Sequence, residues 1–356
     1  MTLTHPSPTQ DVLATAAFDH ERVLITTGQR SGLTICVAVH STKLGQALGG
    51  ARVWQYDSWA DALYDALRLS SAMTLKNAVA GINRGGGKSV VYVPRGVTLD
   101  AERTHNAMLD LGDAVESLNG AYMTAEDVGT SAELMAVVAE RTAHVCGLPP
   151  EQGGVGEPAD ATAAGVYAGL QSTLEALFGS RDVAGRHIVI AGLGQVGGRL
   201  ARHLAADGAT LTVADVNPAR RELADQLSAA WVDPADAHRV KADLFVPCGL
   251  GGVLTPTVID ELQVSGVVGA ANNQLASRDC AARLRERGIL WAPDFVVNGG
   301  GVIFLALASE GADQARIDAR VNAIGDTIAA IYREADANDI TTLDAAERIA
   351  RSRLEA

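Results

Sequence analysis

The sequence predicts an α/β chain of two domains, an N-terminal domain on a mixed sheet and a doubly wound domain, with a cleft between them. Three observations carry this. The chain has 356 residues, more than one hydrophobic core usually organises. Residues 146–160 hold three prolines and four glycines, the composition of a boundary. From His187 onward, short apolar β-branched runs switch repeatedly into glycine- or amide-rich loops, as parallel strands ending at a ligand crevice do. The boundary is accordingly set between 147 and 148. The second domain is expected over 148–334, with a terminal segment, 335–356, folding back onto the first.

The stretch His187–Asp215 organises the second domain. Ile188–Ala191 reads as a strand buried on both faces, and Gly192, Gly194 and Gly197 follow with GxGxxG spacing around Gln195 and Val196. In that spacing the first glycine makes the tight turn, the second lets a pyrophosphate approach the backbone, and the third lets helix pack on strand. A helix begins near Gln195 with Leu200 and Leu204 on its apolar positions, and its N-terminus favours phosphate. A second strand, Leu211–Ala214, ends at Asp215, about 20 positions on, where a ribose 2′-hydroxyl is read. In a chain with 37 glycines a plain glycine-rich turn is the ordinary alternative, and a helix cap is the alternative for Asp215. The strand before and the helix after favour a dinucleotide. An acid at 215 disfavours a 2′-phosphate, so the expected cofactor is NAD.

The rest of this domain reads the same way. Thr162–Phe178 is a helix leading into it, and Arg220–Ala229 is helical. Leu244–Pro247 is a strand stopped by Pro247, with Cys248 and Gly249 opening a glycine loop at its C-terminal end, where open α/β sheets bind ligands. Gly266–Ala271 is a strand ending in Asn272-Asn273. Leu290–Pro293 is another, followed by Asn298 and three glycines, and Asp318–Glu334 and Thr342–Leu354 are long terminal helices.

Composition excludes several classes of function. Hydrophobic residues make up 47% and charged residues 20%, ordinary for a globular protein. A net charge of −13 lacks the basic footprint of phosphate-backbone binding, so no nucleic-acid partner is expected. Cys36, Cys146, Cys248 and Cys280 lie far apart with no CxxC pair, which predicts reduced thiols and no metal site. Met1–Gln10, with Pro6 and Pro8, has no basic run ahead of an apolar core, and no run of about 20 apolar residues occurs. A cytoplasmic protein without membrane contact is expected.

In the N-terminal half, Glu21–Thr27 and Thr34–His40 alternate apolar and polar residues around a glycine turn, a β-hairpin. Gly49 and Gly50 form a glycine pair where a backbone could approach a ligand; a bulge or turn is the alternative. Ser58–Lys76 has helical periodicity with Ser58 as N-cap and Lys76 at or near its end. Ala80–Gly87 reads as a loop with three consecutive glycines. It ends at Lys88, which introduces the apolar strand Ser89–Val93. A lysine between small residues and a buried strand is set to lose solvation, which lowers its pKa toward neutrality and suits it to acid–base work. The Walker pattern fails here, because Ile82 stands where its first glycine belongs. Thr98–Asn119 is a helix with Asp100 as candidate cap. Glu126 and Asp127 end the strand that begins at Tyr122, where either could be a catalytic carboxylate or a cap for the helix Ser131–Arg141.

Taken together, residues of about 40–310 resemble the glutamate/leucine/phenylalanine/valine dehydrogenase superfamily, and most nearly its phenylalanine dehydrogenases. The motifs are Leu48-Gly49-Gly50-Ala51-Arg52, Lys76, Gly85-Gly86-Gly87-Lys88, Ala125-Glu126-Asp127-Val128-Gly129-Thr130, Thr162-Ala163, the glycine fingerprint, Pro247-Cys248 and Ala271-Asn272-Asn273-Gln274-Leu275. Asp160 replaces a proline common before the family threonine, and Ala51 stands where threonine is frequent. The resemblance implies a substrate domain followed by a Rossmann domain, a homo-oligomer, and reversible oxidative deamination. In that reaction an L-amino acid, NAD and water give a 2-oxo acid, ammonium and NADH.

The resemblance also implies roles. Lys76 would bind the substrate carboxylate with backbone N–H groups near Gly49 and Gly50, Lys88 would polarise the carbonyl, and Asp127 would shuttle the amine's proton. Asn272 would orient substrate or nicotinamide, and Thr162 would hold the carboxamide. Leu48, Ala125, Val302 and Leu305 would line the side-chain pocket, and their lack of charge argues against glutamate. The small Ala125 leaves room, and the overall similarity, including Val53-Trp54 after the glycine pair, points to L-phenylalanine, with leucine or valine as the alternative. A 2-hydroxy acid dehydrogenase would use a His–Arg pair, which is not placed beside these loops. A non-catalytic NAD-binding regulator would have no need of Lys76, Lys88 and Asp127 together.

Overall fold

The computed structural model describes residues 18–152 and 158–356. The segment Met1–Gln10 and part of the Pro/Gly-rich boundary lie outside them. Contacts divide the chain into two units, residues 1–156 and 157–356.

The first unit is a mixed five-stranded sheet. Its strands are β1 (Arg22–Thr27), β2 (Thr34–Ser41), β3 (Ala47–Tyr56), β4 (Gly85–Pro94) and β5 (Tyr122–Glu126), in the order β1-β2-β4-β3-β5. β1 and β2 form the expected antiparallel hairpin, β2 runs antiparallel to β4, and β3 is parallel to both β4 and β5. The glycines of this unit correct the sequence reading. Gly49 and Gly50 lie inside β3, and Gly85–Gly87 with Lys88 begin β4 rather than forming a loop. The reason is steric. A Cβ on Gly86 would fall 2.2 Å from Thr74 N on the helix Trp59–Val79, and one on Gly87 would fall 2.4 Å from the Tyr122 ring. These glycines admit a helix on one face of the sheet and an aromatic ring on the other.

Each face has its own core. On one side Ala47, Ala51, Val91 and Tyr122 pack with Met108, Leu111, Met135 and Val138 of helices Ala101–Glu116 and Ala132–Ala139. On the other, Val90 packs with Ala62 and Ala66 of helix Trp59–Val79, whose N-cap Ser58 accepts from Asp61 N. Asp100 and Ser131 cap the other two helices, so neither Glu126 nor Asp127 is spent as a cap.

The second unit holds a six-stranded parallel sheet of β6 (His187–Ala191), β7 (Thr210–Ala214), β8 (Ala230–Trp231), β9 (Leu244–Pro247), β10 (Gly266–Val267) and β11 (Leu290–Trp291), in the order β11-β10-β9-β6-β7-β8. Every pairing is parallel. The order reverses between β6 and β9, which makes the C-terminal ends of those two strands the ligand-binding switch point. β10 is shorter than the Gly266–Ala271 run expected. Its neighbour Pro247 has no N–H to extend the ladder, and Gly269 lies tight against Pro247.

Two further expectations change. The helix expected over Asp318–Glu334 is two helices, Gln314–Asn322 and Ile324–Asn338, meeting at Ala323, where Gly325 draws close to Ala168 and its carbonyl accepts from Ser172 Oγ at 2.8 Å. The terminal helix Thr342–Glu355 belongs to the second unit, not the first. It packs on Ile324–Asn338 and is held by Arg278, which pairs with Glu347 at 2.6 Å. Among the described residues no helix is long and apolar enough to cross a membrane.

Candidate active site

Strand alternation puts Leu48, Gly50 and Arg52 of β3 on the sheet face opposite Ala47 and Ala51, the face that carries helix Trp59–Val79. Lys88, two residues from Val90, shares that face, as does Ala125, three residues from Tyr122. Asp127 follows the last residue of β5. Because β3 lies between β4 and β5, parallel to both, Lys88 and Asp127 converge over Gly50. Lys88 Nζ sits 2.8 Å from Asp127 Oδ2. A Cβ on Gly50 would fall 2.7 Å from Asp127 Cβ and 3.3 Å from Lys88 Nζ, so glycine alone leaves room for the pair.

The pair is buried, with side-chain exposures of 6% for Lys88 and 24% for Asp127. Burial pushes the Lys88 ammonium below the usual lysine range, and the Asp127 carboxylate offsets this only in part. Burial alone would raise the Asp127 carboxyl, but the Lys88 and Arg52 cations outweigh it and hold it below the usual carboxylate range. The site thus pairs an ammonium whose pKa is lowered with a carboxylate whose pKa is also lowered.

Lys76 stands half-buried in the last turn of helix Trp59–Val79. Leu48 and Ala125 are 1% and 4% exposed. Sequence reasoning gave no role to Arg52, whose Nε donates to Asp127 Oδ2 at 2.9 Å, or to Asn77, whose Nδ2 donates to Leu48 O at 3.3 Å and Gly85 O at 2.5 Å. Both residues stand inside or beside recognised motifs, but their bonds span strands that one sequence does not register.

In the second unit the three fingerprint glycines have three different structural reasons. Gly192 has φ +108°, and its missing Cβ would fall 2.8 Å from Gly249 N on the loop after β9. Gly197 presses on Gly192 O and Cys248 Cβ. Gly194 has nothing within 4 Å of its would-be Cβ, the open approach a pyrophosphate needs. Gln195 and Val196 begin the helix Gln195–Ala206, whose first-turn N–H groups lie at that opening. Asp215 Oδ2 accepts from Leu193 N at 2.6 Å and Oδ1 from Asn217 N at 2.7 Å, which fixes the carboxylate while each oxygen keeps a lone pair for a ribose hydroxyl. These residues fit a nicotinamide dinucleotide.

The remaining expected positions lie in the same unit. Thr162 Oγ1 bonds Pro158 O at 2.9 Å and lies against Gly301. Asn272 is exposed, and its Oδ1 accepts from Asn298 Nδ2 at 2.8 Å, a partner sequence reasoning left without a role. Burial raises the Cys248 thiol to about 11, so that sulfur packs rather than reacts. Val302 and Leu305 lie on helix Gly300–Ser309, Leu305 being 8% exposed. Among the described residues no group of three or more His, Cys, Asp or Glu could hold a metal ion.

Comparison with known proteins bears on this geometry. Residues 20–144 match the family model described as Glu/Leu/Phe/Val dehydrogenase, dimerisation domain, and residues 213–355 match the model described as Glutamate/Leucine/Phenylalanine/Valine dehydrogenase. The chain belongs to the glutamate/leucine/phenylalanine/valine dehydrogenase family. A leucine dehydrogenase of Geobacillus stearothermophilus is 39% identical over 340 residues, covering 95% of this chain and 91% of that one. A phenylalanine dehydrogenase of Bacillus thermotolerans is 37% identical over 344 residues, covering 95% and 89%. The crystal structure of L-tryptophan dehydrogenase from Nostoc punctiforme superposes with a TM-score of 0.83 at 34% identity, covering 95% and 96%. This family member is therefore an amino-acid dehydrogenase that works with a nicotinamide dinucleotide.

Proposed function

We propose that the enzyme oxidatively deaminates an apolar L-amino acid, leucine before phenylalanine, with Lys88 and Asp127 as its acid–base pair. The observation that carries the catalytic part is the contact of Lys88 with Asp127 over Gly50. Bound NAD would accept the hydride from Cα. Lys76 would hold the substrate carboxylate as a point cation. Asp127, ionised, would take the proton from the amino group, and Lys88, its pKa lowered by burial, would in its neutral form take one from the attacking water. In the reverse direction the Lys88 ammonium would donate to the carbonyl oxygen.

The side-chain preference rests on the lining of the site and on a relative. Leu48 and Ala125, nearly fully buried in the first unit, carry no charge, so a glutamate γ-carboxylate buried against them would lack a partner, at a cost on the order of several kcal/mol. The leucine dehydrogenase relative supports an aliphatic substrate. Val53-Trp54, one part of the similarity that pointed to phenylalanine, adds little to that choice. Val53 packs against the core on the opposite face of the sheet, and Trp54 is 54% exposed. The match to a dimerisation domain supports a homo-oligomer, which light scattering of the purified protein tests.

The deciding experiment is NADH formation across L-leucine, L-valine, L-phenylalanine and L-glutamate. The expected order of kcat/KM places leucine or valine first and glutamate last. A clear preference for phenylalanine overturns the aliphatic reading, and a preference for glutamate overturns the apolar one.

A further inference from the structure

Asp127 Oδ2 carries two cationic donors, Lys88 Nζ at 2.8 Å and Arg52 Nε at 2.9 Å, while Oδ1 accepts no hydrogen bond among the described residues. The backbone beside it is fixed on both sides of Arg52. Asp127 N donates to Thr130 Oγ1 at 2.8 Å, that hydroxyl reaches Ala51 O at 3.0 Å, and Val53 N donates to Val128 O at 3.0 Å. Behind Arg52 stands a second carboxylate. Asp65, on helix Trp59–Val79, accepts from an Arg52 terminal nitrogen at 2.8 Å, from Tyr56 OH at 2.7 Å and from Arg68 at 2.8 Å. Arg52 and Asp65 are 21% and 14% exposed, so this is a partly desolvated ladder of alternating charge.

We propose that Arg52 is a positioning residue for the proton acceptor: it clamps Oδ2 of Asp127, with Asp65 anchoring the clamp, so that Oδ1 is the oxygen that takes the substrate's proton. This rests on the reading of Lys88 and Asp127 as the acid–base pair. A lysine–aspartate pair alone has a weakness in such chemistry. When Lys88 gives up its proton, the carboxylate loses its counter-ion in a buried site and tends to take the proton itself. A guanidinium stays charged throughout. Arg52 therefore keeps Asp127 ionised at the moment Lys88 is neutral. With both accessible lone pairs of Oδ2 engaged by cations, the carboxylate cannot turn, and the incoming proton meets Oδ1. A lysine at 52 could reach Asp127 or Asp65 but could not bridge both, because the bridge uses two nitrogens of one planar group.

The test is Arg52→Gln, with Arg52→Lys and Asp65→Asn beside it, in the full-length enzyme with its best amino acid. Arg52→Gln is expected to lose about tenfold or more in kcat while amino-acid KM and NADH affinity stay near the parent's. The acid limb of its kcat/KM profile is expected at higher pH, because the cation that depresses both Lys88 and Asp127 is gone. Arg52→Lys should recover only part of kcat. Guanidinium ion should restore turnover to Arg52→Ala, where equal urea should not. A parent-like kcat and pH profile in Arg52→Gln overturns the proposal. If that variant fails to fold, Asp65→Asn decides: lowered kcat at unchanged KM supports the clamp, and unchanged kcat overturns it. Lys88→Ala and Asp127→Asn separate the two levels. If either keeps its turnover, the acid–base reading itself is wrong; if both lose turnover and Arg52→Gln does not, only the clamp is wrong.

Discussion

Lys88 and Asp127 meet through a single oxygen, Nζ of one lying 2.8 Å from Oδ2 of the other. Removing Asp127 would leave the buried Lys88 charge without its partner, typically at a cost of about 3–5 kcal/mol, whereas Asp127 without Lys88 keeps the Arg52 guanidinium at 2.9 Å. The pair therefore supports the fold of the site apart from the chemistry proposed for it.

Lys88→Ala should lower kcat by about 10²–10⁴-fold while NADH still binds, because the group acts on charge that develops during reaction. Lys76→Ala should instead raise KM with a smaller effect on kcat, since a carboxylate is present in ground and transition states alike. Steady-state kinetics with NADH titration by fluorescence measures both. A Lys88→Ala enzyme with most of its kcat would remove lysine 88 from the mechanism.

Gly50→Ala should disable the site without removing any charged group. The new methyl would meet Asp127 Cβ and the Glu126 carbonyl at 2.7 Å, and that carbonyl is backbone with little freedom to move. We expect about 1–3 kcal/mol of destabilisation from overpacking and a loss of kcat approaching that of Lys88→Ala. Urea unfolding and initial rates report the two effects. Full activity in Gly50→Ala would mean the pair can part without consequence.

How much of this was legible in the sequence differs between the two units. In the second unit the fingerprint is local. Gly192, Gly194, Gly197 and Asp215 fall within one strand–helix–strand run, with close contacts at Gly192 and Gly197 and open space at Gly194. In the first unit the decisive contacts are long-range. Arg52 and Asp127 are 75 positions apart, and the parallel pairing of β3 with β4 and β5 depends on crossovers that periodicity does not register. Gly85–Gly87 looked like a loop because three glycines favour no regular structure by themselves. Only the helix on one side and Tyr122 on the other make them strand residues. The resemblance named Lys88 and Asp127, whereas Arg52 stood inside a quoted motif with no signal for its partner.

Asp110 offers a test of stability away from the site. Its carboxylate is 2% exposed and accepts from Ser31 N, Ser31 Oγ, Arg30 N and the Arg30 guanidinium. Burial would raise it, but these donors outweigh burial and hold it below the usual carboxylate range. A depressed carboxyl contributes stability that is present above its unfolded value, near about 3.9, and is lost as pH falls through the folded value. Asp110→Asn should thus cost about 2–4 kcal/mol at pH 7, and the gap to the parent should narrow under acid. Urea midpoints at neutral and acidic pH measure it; a gap that stays constant would contradict the assigned role.

Asp215 is expected to decide between the two nicotinamide dinucleotides. Its oxygens are fixed by Leu193 N and Asn217 N, so a 2′-phosphate would meet a carboxylate that cannot swing aside. NAD should therefore be preferred to NADP. The neighbouring cavity, about 360 Å³ and lined in part by Arg202 and Arg220, is not itself hostile to phosphate. The preference should accordingly rest on this one charge. Asp215→Asn keeps an acceptor oxygen for the loop and removes the charge, so the NAD:NADP ratio of kcat/KM should fall by about tenfold or more, or about 1.4 kcal/mol per tenfold. Most of that fall should come as gained use of NADP, because relief of repulsion acts on the phosphate alone, whereas the lost ribose bond acts on NAD. Kinetics with both cofactors at saturating amino acid measures the ratio, and equal efficiency with NADP in the parent enzyme would refute the assignment of Asp215 as the discriminating residue.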